Sequence, residues 1–133
     1  MMKKLMSVAS VALLALAACD DHEHAAAGAP TGATCPQGST LTYTNFGKGF
    51  LDKYCVECHD ANKTGAARKG APEFHDFDTL TGFKSVSDHA DEYSGSGPSA
   101  TNELMPEANG TRPIPTMAER VQLSQWIACG SPN

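Results

Sequence analysis

Apolar positions along this chain fall into one continuous block, two helical stripes and a scatter between them. Residues 5–18 are apolar apart from Ser7 and Ser10. From residue 44 to residue 54 the pattern changes: Phe46, Phe50, Leu51 and Tyr54 recur at i, i+4, i+5 and i+8, which predicts a helix. Residues 60–72 hold Lys, Gly, Ala and Asn and read as a loop. Phe74, Phe77 and Leu80 follow, with a short helix expected somewhere between residues 78 and 93. Residues 94–101 form a Ser/Gly/Pro loop, and residues 104–115 are extended and proline-rich. The last helix is the best marked. Thr116 and Glu119 fit a capping box, Val121, Leu123, Trp126 and Ile127 supply apolar surface, and Gly130 stops it. Trp126 is expected to pack this helix against the one at residues 46–54. The pattern as a whole predicts an all-α domain.

The apolar block is of a different kind. Met1-Met2-Lys3-Lys4 gives it a basic start, and Leu16-Ala17-Ala18-Cys19 gives it small residues before a cysteine. A basic start, a short apolar run and small residues describe a secretory signal peptide, and the run is too short for a spanning helix. With a cysteine at the cleavage point it resembles a bacterial lipoprotein signal. That resemblance implies removal of residues 1–18, lipidation of Cys19 and a chain tethered to a bacterial membrane, facing the periplasm. Residues 19–40 lack apolar periodicity and are expected to be a flexible tether, leaving residues 41–133 as the folded domain. His22 and His24, flanked by acids in that tether, do not make a preformed metal site.

Candidate chemistry concentrates in Cys55-Val56-Glu57-Cys58-His59. Two thiols spaced by two residues can reach the two vinyl groups of one haem, and the adjacent histidine then falls on the iron as an axial ligand. The same CxxC spacing serves thiol–disulfide oxidoreductases and half of many zinc sites, but neither chemistry needs the histidine. The chain has five cysteines. If lipid takes Cys19 and haem takes Cys55 and Cys58, then Cys35 and Cys129 remain. An exported chain is expected to pair them, the alternative being two free buried thiols.

Charge narrows the partners. Without residues 1–18 the chain has 115 residues and carries 8 Lys+Arg against 15 Asp+Glu, a net charge of −7. That argues against nucleic acid and favours partners with basic or neutral docking faces. A polar domain of this size is marginal on core burial alone, a deficit that a covalent haem would reduce.

Together these features resemble a class I c-type cytochrome of the small bacterial monohaem kind. The likeness covers residues 41–133: a first helix running into CxxCH, a loop with a methionine, and a C-terminal helix crossing the first. The resemblance implies one covalent haem c on Cys55 and Cys58, with His59 as the proximal and Met105 as the distal axial ligand. Met117, His75 and His89 are the rivals of Met105. It implies further that the Pro72 carbonyl accepts the Nδ1 proton of His59, and that Gly47 with Phe50 forms the contact between the terminal helices. The Cys35–Cys129 pair is not general in that family, and the loop before Met105 is unusually acidic and rich in Ser and Gly. With both axial positions filled by protein, the implied role is a one-electron carrier between redox proteins outside the cytoplasm, not an enzyme.

Overall fold

The computed structural model describes residues 27–133. The expected leader, lipidation site Cys19, His22 and His24 lie outside the described residues. Within them the chain is all-α, with one isolated bridge between Ser96 and Thr101.

The first helical stretch opens with a π-helical turn, Tyr43–Gly47, which runs directly into α1, Lys48–Tyr54. It starts where it does because Thr42 and Asn45 cap each other. Thr42 Oγ1 accepts from the Asn45 amide at 3.2 Å, and Asn45 Oδ1 accepts from the Thr42 amide at 2.8 Å. A 3-10 turn over Gly65–Arg68 interrupts the loop after the CxxCH string. The single short helix expected between residues 78 and 93 is in fact two, α2 (Leu80–Ser85) and α3 (Ser87–Ser94). No helix forms at residues 104–115, as expected, and α4 spans Met117–Ala128 with the predicted Thr116/Glu119 box in place.

One aromatic core joins these elements. Phe50, Leu51 and Tyr54 of α1, Phe77, Phe83 of α2, and Leu123 and Trp126 of α4 are all buried together. Trp126 stacks on Phe83 (centroids 4.9 Å, 15°) and meets Phe46 edge-on at 6.1 Å. Such ring geometries add to area burial by about 0.5–1.5 kcal/mol a pair. The tryptophan therefore does cross onto the first helical stretch, but it also closes over α2.

Residues 28–40 differ from the expectation of a flexible tether. Thr31 is fully buried: its amide and its hydroxyl donate to the two carboxylate oxygens of Asp91, each at 2.9 Å. Asp91 also accepts from Ser124 Oγ at 2.5 Å, so one α3 carboxylate binds the strap to α4. The strap is also tied down by a disulfide between Cys35 and Cys129, Cα atoms 4.7 Å apart, which pairs the two cysteines as expected. Polar contacts rather than an apolar stripe hold this segment, which is why periodicity did not reveal it.

Candidate functional site

α1 delivers the CxxCH string to the wall of a cleft of about 650 Å³. Cys55, Cys58 and His59 line it from one part of the chain, Met105 and Pro106 from another, and Ala90, Tyr93 and Ser94 of α3 lie between them in sequence. Both motif thiols are free and half-buried, in contrast to the paired Cys35 and Cys129. Burial, helped by the neighbouring Cys58, pushes the Cys55 thiol up to about 12, so it stays protonated at neutral pH.

His59 is fixed from three directions. Its Nδ1 lies 2.9 Å from the His75 carbonyl, its ring stacks on Phe77 (4.5 Å, 11°), and its own carbonyl accepts the Phe77 amide at 2.8 Å. A carbonyl only accepts, so Nδ1 must carry the proton. Burial lowers the pKa of the ring and so favours its neutral form, in which the lone pair sits on Nε2. That is the state a metal-ligating histidine needs.

The acceptor corrects an expectation: it is His75, not Pro72. Arg68 explains why. This arginine is buried, and its Nη2 donates to the Pro72 carbonyl at 2.6 Å. The same side chain donates to the carbonyls of Asp60, Ala71 and His75 and pairs with Asp76 at 2.9 Å. Arg68 thus organises the loop of residues 60–76, although nothing in the apolar pattern marks it. His75 and His89, the rival ligands, also line the cleft, but they bond each other: His75 Nε2 lies 2.8 Å from His89 Nδ1. Met117 is half exposed at the start of α4 and is not part of the cleft lining.

Met105 is held through its backbone. Its amide donates to Tyr93 O at 2.9 Å, and its carbonyl accepts from Ser94 Oγ at 2.9 Å and from Arg120 Nη1 at 3.1 Å. Arg120 is the second residue that sequence reasoning passed over. It stands three positions before Leu123 and four before Ser124 on the buried face of α4, and a cation in phase with a core face is the signal that marks it.

At the cleft rim, Glu57 of the CxxCH string pairs with Lys69 and with Arg112 Nε (3.2 Å), linking the motif to the loop that follows Met105. Lys63 Nζ donates to the Glu57 carbonyl at 2.5 Å, satisfying a backbone acceptor in the motif turn. Taken as a set, two free thiols, a neutral histidine with a free Nε2 and a methionine around a single cleft fit a covalently held haem. No protein-family model matches the chain, and no curated protein or solved structure matches it either.

Proposed function

We propose that this protein is a lipid-anchored, monohaem c-type cytochrome that carries single electrons between redox proteins outside the cytoplasm. The observation that carries the reading is the convergence of Cys55, Cys58, His59 and Met105 on one cleft, with His59 oriented through Nδ1 so that Nε2 is free. Cys55 and Cys58 would hold the haem covalently, and His59 and Met105 would fill its axial positions. When bound, haem supplies one-electron cycling between ferrous and ferric iron.

The chain's own residues set the conditions for that chemistry. The His75 carbonyl raises the basicity of His59 and fixes its ring plane. A methionine thioether is a soft ligand that favours the reduced state. Phe77 and Ala90 give the cleft apolar surface that excludes water. With His59 and Met105 both committed to the haem, no position would be left for a substrate, which suits a carrier and not an oxidase or peroxidase. The Cys35–Cys129 disulfide supports an oxidising, extracytoplasmic setting. A thiol–disulfide exchange role needs a CxxC thiol with a lowered pKa, whereas burial moves Cys55 the other way. Cys19 would tether the carrier near membrane-bound partners and raise their effective concentration.

The test is the optical spectrum of the full chain matured with haem, in both oxidation states, alongside Met105→Ala. A c-type spectrum with a far-red sulfur–iron band that is lost in Met105→Ala is the expected result. Covalent haem without that band, combined with rapid CO binding, would replace the carrier by a sensor or peroxidatic protein. Absence of covalent haem would return the CxxC pair to thiol or metal chemistry.

A further inference from the structure

Arg120 occupies a costly position. It is 1 % exposed in the middle of the protein, and among the described residues no carboxylate lies within ion-pair reach of it. Its Nε is buried without a hydrogen-bond partner. For packing alone, an apolar side chain of similar volume at this site on α4 would avoid the desolvation of a full charge. The guanidinium cannot escape that cost by losing its proton. Its hydrogen bonds all run from one nitrogen, with Nη1 donating to the carbonyls of Ser94 (2.9 Å), Asn102 (2.9 Å) and Met105 (3.1 Å), while the Glu103 carboxylate favours the charge from beyond ion-pair distance.

Those three carbonyls belong to a single loop. Ser94 ends α3, Met105 enters the cleft wall, and the residues between them are rich in Ser and Gly and close on themselves at the Ser96–Thr101 bridge. Three carbonyls gathered on one cation draw the start of the loop and its returning end to the same point. The Ser94 hydroxyl then locks the Met105 carbonyl from the other side at 2.9 Å.

We propose that Arg120 is the positioning residue of the distal side, clamping the loop so that Met105 is presented to the haem iron. The inference rests on the reading of Met105 as axial ligand. It adds an electrostatic consequence. A fixed, desolvated positive charge bonded to the ligand's own carbonyl opposes the gain of charge when the iron is oxidised, and so raises the reduction potential.

The experiment compares the haem-loaded full chain with Arg120→Met and Arg120→Lys. It reads the far-red sulfur–iron band, the reduction potential, far-ultraviolet circular dichroism and the exchange rate of the Met105 amide proton. Arg120→Met is expected to keep its covalent haem and helical signal, to lose at least half of the far-red band, to shift to lower potential, and to exchange the Met105 amide at least tenfold faster. Arg120→Lys keeps the charge but lacks the planar fork, so it should recover the potential in part and the band incompletely. A folded Arg120→Met with the wild-type band and wild-type Met105 exchange overturns the inference. Should Arg120→Met not fold, Arg120→Lys decides: a weaker band with faster exchange supports the clamp, and wild-type values for both overturn it. Wild-type protein that takes haem but lacks the sulfur band overturns the ligand assignment, while Met105 exchange in the variants still decides whether Arg120 clamps the loop. A chain that takes no haem overturns both.

Discussion

Gly47 and Trp126 touch so closely that a side chain at position 47 has nowhere to go: a Cβ built there would lie 2.5 Å from both Cη2 and Cζ2 of the indole. Gly47 sits at φ −57°, an ordinary helical conformation, so its value is the absence of a side chain and not backbone freedom. Alanine would gain about 1 kcal/mol of helix propensity. Against that stands overpacking into a fully buried ring, which costs about 1–3 kcal/mol. Gly47→Ala is therefore expected to be net destabilising, by up to about 2 kcal/mol, read from urea unfolding. The penalty should shrink on a Trp126→Leu background, and an unchanged penalty in that double-mutant cycle would show that the clash lies elsewhere.

Acid should weaken the junction of α1 with α4. Glu119 Oε2 accepts from the Thr116 amide and hydroxyl, both at 2.8 Å, and Oε1 accepts from Tyr54 Oη at 2.8 Å. These bonds, the Thr116 amide first among them, hold the Glu119 carboxyl down at about 2, against an ordinary value of 4.5. A depressed folded-state pKa contributes stability that is present above the ordinary value and is lost as pH falls toward the folded one. The window thus runs from about 4.5 down to about 2. Wild-type protein should lose more stability across it than Glu119→Gln, which keeps the capping geometry but does not titrate. Parallel pH profiles for the two proteins would remove Glu119 from the acid response. At neutral pH, Thr116→Ala should cost about 1 kcal/mol through loss of the cap.

The disulfide closes nearly the whole domain, with Cys35 and Cys129 separated by 94 positions in sequence. Chain entropy alone gives about 4–5 kcal/mol for such a loop, an upper figure because a denatured ensemble is not featureless. Cys35→Ser/Cys129→Ser is expected to lower the free energy of unfolding by about 2–4 kcal/mol while leaving the helical signal intact. Equal urea midpoints for the oxidised protein and the double variant would mean that the Thr31–Asp91 contacts already fix the strap.

These cases show what was legible in the chain. Helix positions could be read because caps and apolar spacing are local: Thr116 with Glu119, and Phe46 with Phe50 and Tyr54, lie within a few residues of each other. The motif cysteines and His59 were legible for the same reason. Three determinants were not. Arg120 reaches carbonyls 26 and 18 residues away, Thr31 meets Asp91 across 60, and His59 takes its acceptor 16 residues on. The phase of Arg120 with the buried face of α4 marks it as unusual, but nothing local names the partner, which is distant backbone for Arg120 and His59 and a distant carboxylate for Thr31. Pro72 shows the same effect, because its carbonyl accepts from Arg68 while His59 finds its acceptor in His75.

Arg68 yields the sharpest test on the proximal side. It is 4 % exposed, pairs with Asp76 and donates to four carbonyls within residues 60–75. Removing the guanidinium would leave those carbonyls and a partly buried carboxylate without their donor. Breaking a fully buried pair costs about 3–5 kcal/mol, and because Asp76 retains a quarter of its exposure the low end applies, about 3 kcal/mol for Arg68→Met. The local consequence matters more for function. His75 O is bonded both by Arg68 Nη2 at 3.1 Å and by His59 Nδ1, so a loosened loop should release the His59 ring. Loss or broadening of the slowly exchanging His59 Nδ1 proton in the nuclear magnetic resonance spectrum of Arg68→Met, with the α4 amide signals in place, is the expected outcome. A sharp, unshifted Nδ1 proton would show that Phe77 stacking alone suffices to orient the ring, and would reduce Arg68 to a purely stabilising role.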